Sequence, residues 1–173
     1  MVHTRKAILP DVERIHAIIR PYAEIGTLLP RTLGELSENV RDFVVAVDDE
    51  KGVIGCGALH LYGMHLAEVR SIAVMPSAKG LGAGRKLVEA LLDEAEAHRV
   101  TCVCLFTRIP EFFSHMGFTT ATREELPDKI YKDCVHCPNL YACDEIAMVR
   151  GPIPQSVGPR DTQILIPLVR LGA

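Results

Sequence analysis

The sequence lacks any apolar run that approaches the roughly 20 residues needed to cross a bilayer. Residues 1–15 contain no long apolar core and no cleavage-like segment, so they do not resemble a secretory signal. The 173 residues carry a formal net charge of −3, and neither half of the chain is strongly basic. Binding of nucleic acid phosphates requires clustered Lys and Arg. These absences predict a cytoplasmic protein without membrane or nucleic-acid partners.

Internal repeats and low-complexity tracts are absent as well. Hydrophobic residues make up 48% and charged residues 24% of the chain, which is typical of a globular protein. The length is that of one ordinary domain with a sizeable core. We therefore expect a single domain covering residues 1–173.

The pattern of apolar residues predicts an α/β (α+β) fold in which strands and helices are mixed. Residues 121–160 show no regular pattern and hold three of the six cysteines. Strands are predicted at residues 4–8, 43–47, 53–62, 68–74 and 101–107, from Phe118 onward, and at 162–171. Helices are predicted from Pro10, at residues 32–40, at 85–98 and at 110–116.

A glycine-rich turn lies between a predicted strand and the clearest predicted helix. Gly80, Gly82 and Gly84 allow a tight turn whose N–H groups approach a ligand at the positive end of the helix dipole. This arrangement suits a pyrophosphate, to which Lys79 and Arg85 add charge-assisted contacts. The turn lacks the Gly-Lys-Ser/Thr ending of a Walker loop and lies too late for a dinucleotide fingerprint. An ordinary helix N-cap loop is the alternative interpretation.

Residues 79–84, Lys-Gly-Leu-Gly-Ala-Gly, resemble the Gln/Arg-x-x-Gly-x-Gly/Ala motif of the GNAT family of acetyltransferases, with lysine in the first place. Val74-Met75-Pro76 resembles the family's Val-x-Pro lead-in. Residues 111–118 resemble its second motif, usually Tyr-x-x-x-Gly-Phe, and residues 5–15 its first strand and helix. The resemblance implies acetyl-CoA as co-substrate. It also implies the GNAT fold, a mixed, mostly antiparallel sheet splayed between strands 4 and 5 and flanked by helices.

Within that family, residues 28–32, 67–74 and 125–134 resemble the N-acetylglutamate synthases, in their short stand-alone form. The resemblance implies acetyl transfer to the α-amino group of L-glutamate or L-glutamine, the first step of arginine biosynthesis. It puts arginine feedback through a kinase-like domain in doubt, and a homodimer is common in the family. Another amine or peptide acceptor, or a non-catalytic acetyl-CoA-binding module, remains an alternative.

The resemblance also assigns candidate roles to residues. Glu68 is the candidate general base, acting through a water, and its alternative role is a structural ion pair with Arg70. Phe113 replaces the family's tyrosine acid, so Thr107 is the candidate hydroxyl, with Tyr131 as a second choice. The candidate cofactor-binding residues are Ile72, Ala73, Val74, Lys79, Gly80, Gly82, Ala83, Gly84, Arg85 and Phe113.

Cations are expected around the acceptor because glutamate carries two carboxylates. Arg31 resembles the family's glutamate-binding arginine, and its fork geometry suits a carboxylate. Arg70 shares a strand face with Glu68, from which it is two residues away. Lys129 and Lys132 lie in the last matching segment. Each of these four residues has a surface ion pair as its alternative role.

Six cysteines without an export signal indicate reduced thiols or metal ligands rather than a disulfide framework. Cys134, Cys137 and Cys143, with His136 nearby, supply ligands of the types that zinc binds. Their intervals are short, however, and a second Cys-x-x-Cys pair is missing. We therefore favour free thiols over zinc, and we expect the chemistry to require no metal.

Overall fold

The computed structural model describes residues 1–137 and 139–154, and in this part of the chain seven strands and five α-helices are present. The strands are β1 (Val2–Lys6), β2 (Phe43–Asp48), β3 (Gly52–Gly63), β4 (Leu66–Val74), β5 (Val103–Thr107), β6 (Thr119–Thr120) and β7 (Ile146–Arg150). The helices are α1 (Val12–Glu24), α2 (Leu33–Glu38), α3 (Ala83–Ala97), α4 (Pro110–Ser114) and α5 (Pro127–Lys132).

All seven strands form one sheet in the order β1-β2-β3-β4-β5-β7-β6. Within the described residues, β4 and β5 form its one parallel pair, and every other neighbouring pair is antiparallel. The β4–β5 pairing is limited to Ala67 with Val103 and Glu68 with Cys104. Beyond these residues the two strands diverge, which confirms the predicted mixed sheet with its splay between strands 4 and 5.

Helices cover both faces of the sheet because each carries an apolar stripe. On one face, Ile15 and Ile19 of α1 pack with Val45 in a buried cluster that α2 also joins. On the other face, Leu87 and Leu91 of α3 enter a second cluster with the sheet and α4. None of the helices in the described residues combines the length and the apolar character that crossing a membrane requires.

A bulge distorts β4 where it faces the splay. Cys56 pairs with Ala73 and Ala58 pairs with Arg70, so two residues of β4, Ser71 and Ile72, stand against Gly57 alone. Ser71 has a φ of 55°, which is unusual for a residue with a side chain. Bulges of this kind bend a strand and redirect its backbone groups, and they occur frequently beside active sites.

The predicted elements up to residue 116 are confirmed, with ends displaced by no more than two residues. The strand predicted from Phe118 onward is reduced to the two residues of β6. The prediction of irregular structure for residues 121–160 is wrong where α5 and β7 lie. Both lie in a segment without regular sequence patterning, and β7 is fixed by pairing with β5 and β6. The strand predicted at 162–171 lies outside the described residues.

Candidate active site

A cleft of about 770 Å³ occupies the gap between the splayed strands. Its volume is typical of sites for small molecules and cofactors. Arg70 of β4 and Thr107 of β5 lie on its walls. It is also lined by the predicted cofactor-binding residues Ile72, Ala73, Val74, Lys79, Gly80, Gly82, Ala83, Gly84, Arg85 and Phe113.

The N-terminus of α3 opens onto one end of this cleft. Gly80 and Gly82 have φ angles of 83° and 75°, which glycine adopts without strain. Gly82 is the N-cap, and in the described structure no side chain caps the helix. The first-turn amides therefore have no intrahelical partner and form an anion-binding end. Lys79 is exposed beside them, whereas Arg85 pairs with Glu89 at 2.9 Å along the helix.

The strand β4 forms one wall of the cleft and presents backbone to it. After Glu68, the edge of β4 that faces β5 has no strand partner among the described residues. The hydroxyl of Tyr22 in α1 donates a hydrogen bond to the carbonyl of Val74, which fixes the end of the strand. Burial raises the pKa of Tyr22 above its ordinary value, so this donor stays protonated. Sequence reasoning missed Tyr22, which belongs to a helix far from β4 in the chain.

Glu68 lies almost fully buried at the point where the strands separate, and only 3% of it is exposed. The ammonium of Lys129 is 2.9 Å from its Oε1, and the hydroxyl of Tyr62 is 3.0 Å from its Oε2. Both groups also contact Asp133 Oδ2, Lys129 at 3.3 Å and Tyr62 at 2.5 Å. Arg70, the partner considered in the alternative role of Glu68, is 4.0 Å away, so the main ionic partner of Glu68 is Lys129.

The protonation states in this buried network follow from its contacts. Burial disfavours the charged form of Lys129, but the Glu68 carboxylate outweighs burial and raises the lysine's pKa. Burial likewise opposes ionisation of Asp133, but the Tyr62 hydrogen bond and the Lys129 charge lower its pKa. Burial and the charge of Glu68 raise the pKa of Tyr62. At neutral pH, Lys129 is therefore charged, Asp133 is ionised and Tyr62 carries its proton.

Arg31 and Arg70 come together at a small pocket beside the bulge, which Ser71 and Asn39 also line. Burial and then the positive charge of Arg70 lower the pKa of Arg31. Arg70 donates to His60 Nδ1 at 3.1 Å, whereas Arg31 makes no hydrogen bond or ion pair with any described residue. Two neighbouring guanidinium groups repel each other, and a carboxylate is a group whose geometry suits both.

The remaining predicted residues differ in their relation to the cleft. Thr107 is 6% exposed and accepts a hydrogen bond from the Ile109 amide at 3.0 Å, which leaves its own hydrogen available to the cleft. Phe113 is buried and supplies only an apolar surface. Lys132 is exposed, and its Nζ lies 5.5 Å from the centre of the Tyr62 ring rather than in the cleft. Tyr131 is also exposed and is not part of the cleft lining.

The cysteines divide into two groups. Cys56, Cys102 and Cys104 are buried, and burial raises the pKa of Cys56 to about 12 and that of Cys102 to about 11. The partly exposed group consists of Cys134, Cys137 and Cys143. Apart from residues 138 and 155–173, the chain contains no cluster of three or more His, Cys, Asp or Glu side chains arranged to hold a metal. The expectation of free thiols in this group stays a prediction.

Comparison with known proteins places these features in a family. A family model described as an acetyltransferase (GNAT) domain matches residues 39–120. An uncharacterized N-acetyltransferase, CT2212 of Chlorobaculum tepidum, is 42% identical over 147 residues, covering 84% of this chain and 94% of the relative. An amino-acid acetyltransferase of Mycobacterium tuberculosis is 38% identical over 117 residues, covering 66% of this chain and 67% of that protein. Other amino-acid acetyltransferases are matched over about 30% of their own length.

A solved structure shows the same architecture. It is the N-acetylglutamate synthase of Neisseria gonorrhoeae complexed with coenzyme A and N-acetyl-glutamate. The TM-score is 0.78 and the identity 28%, over 90% of this chain and 36% of that one. On this evidence the chain belongs to the GNAT family of acetyltransferases.

Proposed function

We propose that the chain transfers an acetyl group from acetyl-CoA to the α-amino group of L-glutamate or L-glutamine, the first step of arginine biosynthesis. The observation that carries this proposal is the pair formed by Arg31 and Arg70 beside the cleft. The names of the amino-acid acetyltransferase relatives and of the gonococcal synthase support the same acceptor class.

The two arginines favour an acceptor with a carboxylate. A carboxylate between them relieves the repulsion of the two guanidinium groups and supplies Arg31 with hydrogen bonds. Glu35 also lines this pocket, but its Oε2 accepts hydrogen bonds from the Thr32 amide at 2.7 Å and the Thr32 hydroxyl at 3.0 Å. Its carboxylate is thus held by the cap of α2. An amino acid therefore suits the pocket better than a polyamine, which has no anionic group.

The cofactor binds, in this proposal, along the whole cleft. The amides of Gly82, Ala83, Gly84 and Arg85 hold the pyrophosphate at the positive end of α3, with Lys79 as its cationic neighbour. Pantetheine lies along the unpaired edge of β4 at residues 72–74. A backbone N–H of β4 polarises the thioester carbonyl, and the fixed position of both substrates supplies much of the rate.

The chemistry needs a proton acceptor for the α-ammonium and a hydrogen-bond donor for the leaving thiolate. Glu68 accepts the proton through a water, because its carboxylate lies beside the cleft and not on its wall. The ion pair with Lys129 holds the Glu68 carboxylate in place. The amine then attacks the thioester carbon, and as the C–S bond breaks the extra proton on the attacking nitrogen passes through water to the leaving thiolate. The Thr107 hydroxyl donates a hydrogen bond to the thiolate, which is a stable enough leaving group not to need a strong acid.

Release of free coenzyme A, measured with a thiol reagent, tests the proposal. The purified protein is given acetyl-CoA and, separately, each common amino acid, spermidine and a short peptide. We expect glutamate or glutamine to give the highest kcat/KM and mass spectrometry to find the acetyl group on its α-nitrogen. Activity on spermidine or the peptide but on no amino acid would overturn the proposal.

A further inference from the structure

Two groups in the buried network have no part in the chemistry described above, although both touch Glu68 or its partners. Tyr62 extends from β3, and Asp133 follows α5. The Tyr62 hydroxyl oxygen lies 3.0 Å from Glu68 Oε2 and 2.5 Å from Asp133 Oδ2, so it bridges the two carboxyl groups.

The position of the hydroxyl hydrogen of Tyr62 determines which carboxyl group receives its hydrogen bond. A phenol carries one hydrogen and cannot donate to both carboxylates at once. When both are ionised, the hydrogen belongs to the shorter contact, with Asp133, and Glu68 Oε2 then faces a lone pair of the Tyr62 oxygen. The 3.0 Å contact becomes a hydrogen bond once Glu68 carries a proton of its own. The geometry thus suits the state of Glu68 that follows proton removal from an amine.

We propose that Tyr62 and Asp133 form the path by which the proton taken up by Glu68 leaves the site, an inference that rests on the proposed function. The acid hydrogen of Glu68 moves to the Tyr62 oxygen while the Tyr62 hydrogen moves to Asp133 Oδ2. Asp133 then releases its proton to water, and the Tyr62 hydroxyl rotates back towards Asp133. Glu68 is left ionised for the next turnover, and each proton is accounted for.

The difference in solvent exposure between Glu68 and Asp133 indicates the direction in which the proton moves. The Glu68 side chain is 4% exposed and that of Asp133 is 29% exposed, so the path runs from the interior to water. The lowered pKa of Asp133 means that its acid form returns the proton to solvent quickly. The raised pKa of Tyr62 keeps the phenol from ending as a phenolate, so it serves as a conduit only.

Cationic groups lie closest to the two carboxyl groups of the path. Lys129 of α5 contacts both acids, and Arg70 of β4 lies 3.7 Å from Asp133. The other titratable or charged groups that face the network are His60 of β3, Cys104 of β5, Arg31 before α2, Cys134 after α5, and Lys132 over the Tyr62 ring. The nearest fixed charges are thus cationic, which favours release of the proton from Asp133 to water.

Two substitutions test the path in the full-length protein. Tyr62→Phe removes the bridging hydroxyl and retains the ring, and Asp133→Asn retains an oxygen that accepts the Tyr62 hydrogen bond but cannot take up a proton. Each should lower kcat with the preferred amino acid by about tenfold or more, in line with the worth of a positioned proton-transfer group. Tyr141→Phe, at a side chain that is 99% exposed, is the matched control and should keep the parent kcat.

Buffer dependence separates proton transfer from a structural effect. A small base such as imidazole can accept the proton in place of the missing group, so kcat of each variant should rise with imidazole concentration at constant pH and ionic strength. The solvent deuterium isotope effect on kcat should also increase, while the Kd of acetyl-CoA stays within about twofold of the parent.

Parent-like kcat in both variants, or a loss of kcat with no response to imidazole or to deuterium, would show that the network is structural and overturn the path. If Tyr62→Phe does not fold, Asp133→Asn alone decides by the same readouts. Failure of the proposed function is distinct, because it appears as absence of amino-acid acetylation in the parent protein itself.

Discussion

The side chain of Ile72 fills the space that a Cβ atom on Gly57 would need. This contact lets two residues of β4 stand against one residue of β3, and so it maintains the bulge at Ser71. The bulge in turn determines which backbone groups of β4 face the cleft.

Replacing Gly57 with Ala should therefore destabilise the fold and weaken acetyl-CoA binding together. The expected loss in the free energy of unfolding is about 1 kcal/mol, the low end of the range for overpacked interiors, because the contacting atoms are the ends of the Ile72 and Leu91 side chains. Gly34→Ala is the control, because a Cβ there meets only the Thr32 hydroxyl at 3.9 Å. Urea denaturation measures the first effect and calorimetry the second. Equal stability of the two variants would contradict this account of the bulge.

The role of the glycine-rich turn in cofactor binding can be tested by substituting two glycines that have similar backbone conformations. Gly82 and Gly52 have φ angles of 75° and 71°, and a Cβ at either would meet no atom within 4 Å. Each Gly→Ala substitution should cost roughly 1–2 kcal/mol of unfolding free energy through left-handed strain. Only Gly82→Ala should lower acetyl-CoA affinity, because Gly52 begins β3, directly after the β2–β3 turn, and is not part of the cleft lining. Similar affinities in both variants would mean that the turn does not hold the pyrophosphate.

Arg31 is expected to act on the amino acid and not on the cofactor. Removing a charged hydrogen-bond donor costs about 1.5–3 kcal/mol, so Arg31→Gln should raise the KM of glutamate or glutamine by about tenfold to a hundredfold. The KM of acetyl-CoA should be unchanged. The control is Arg41→Gln, at an exposed arginine of the neighbouring 3-10 helix. An unchanged KM for the amino acid would remove Arg31 from the acceptor site.

Glu68 should matter for turnover rather than for binding. Glu68→Gln keeps the shape of the side chain but removes the proton acceptor, and we expect kcat to fall by about a hundredfold or more. Calorimetry should find the Kd of acetyl-CoA nearly unchanged. Glu24→Gln, at an exposed glutamate of α1, serves as the control and should keep full activity. If Glu68→Gln turns over like the parent, another group is the base.

The parts of the fold that were predictable from the sequence depend on local patterns. The glycine spacing at 80, 82 and 84 and the apolar stripe of α3 are contained in one short segment, and both elements lie where the sequence placed them. The strand β7 was not predicted because it lies in a segment without regular sequence patterning, and its place is fixed by pairing with β5 and β6. The positive φ of Ser71 was equally inaccessible, since serine has no special preference for that conformation.

In the candidate site, too, some residues were predictable from the sequence and others were brought together only by the fold. Arg31, predicted from the resemblance, and Arg70, predicted from its place on the strand face of Glu68, meet at one pocket. Two residues of the network around Glu68, Tyr62 and Asp133, were missed because they are 71 residues apart in the chain and no local pattern links them. Only the pairing of β3 with β4 and the packing of α5 bring them to Glu68. Lys129 was expected near the acceptor, but its charge is engaged by two carboxylates.

The central claim is that the cleft between β4 and β5 binds the thioester cofactor. Titration of acetyl-CoA into the folded protein in a calorimeter tests it most directly. The account predicts saturable binding at one site per chain, weakened in Gly82→Ala and retained in Gly52→Ala. No measurable heat at any temperature, with the protein folded, would contradict it.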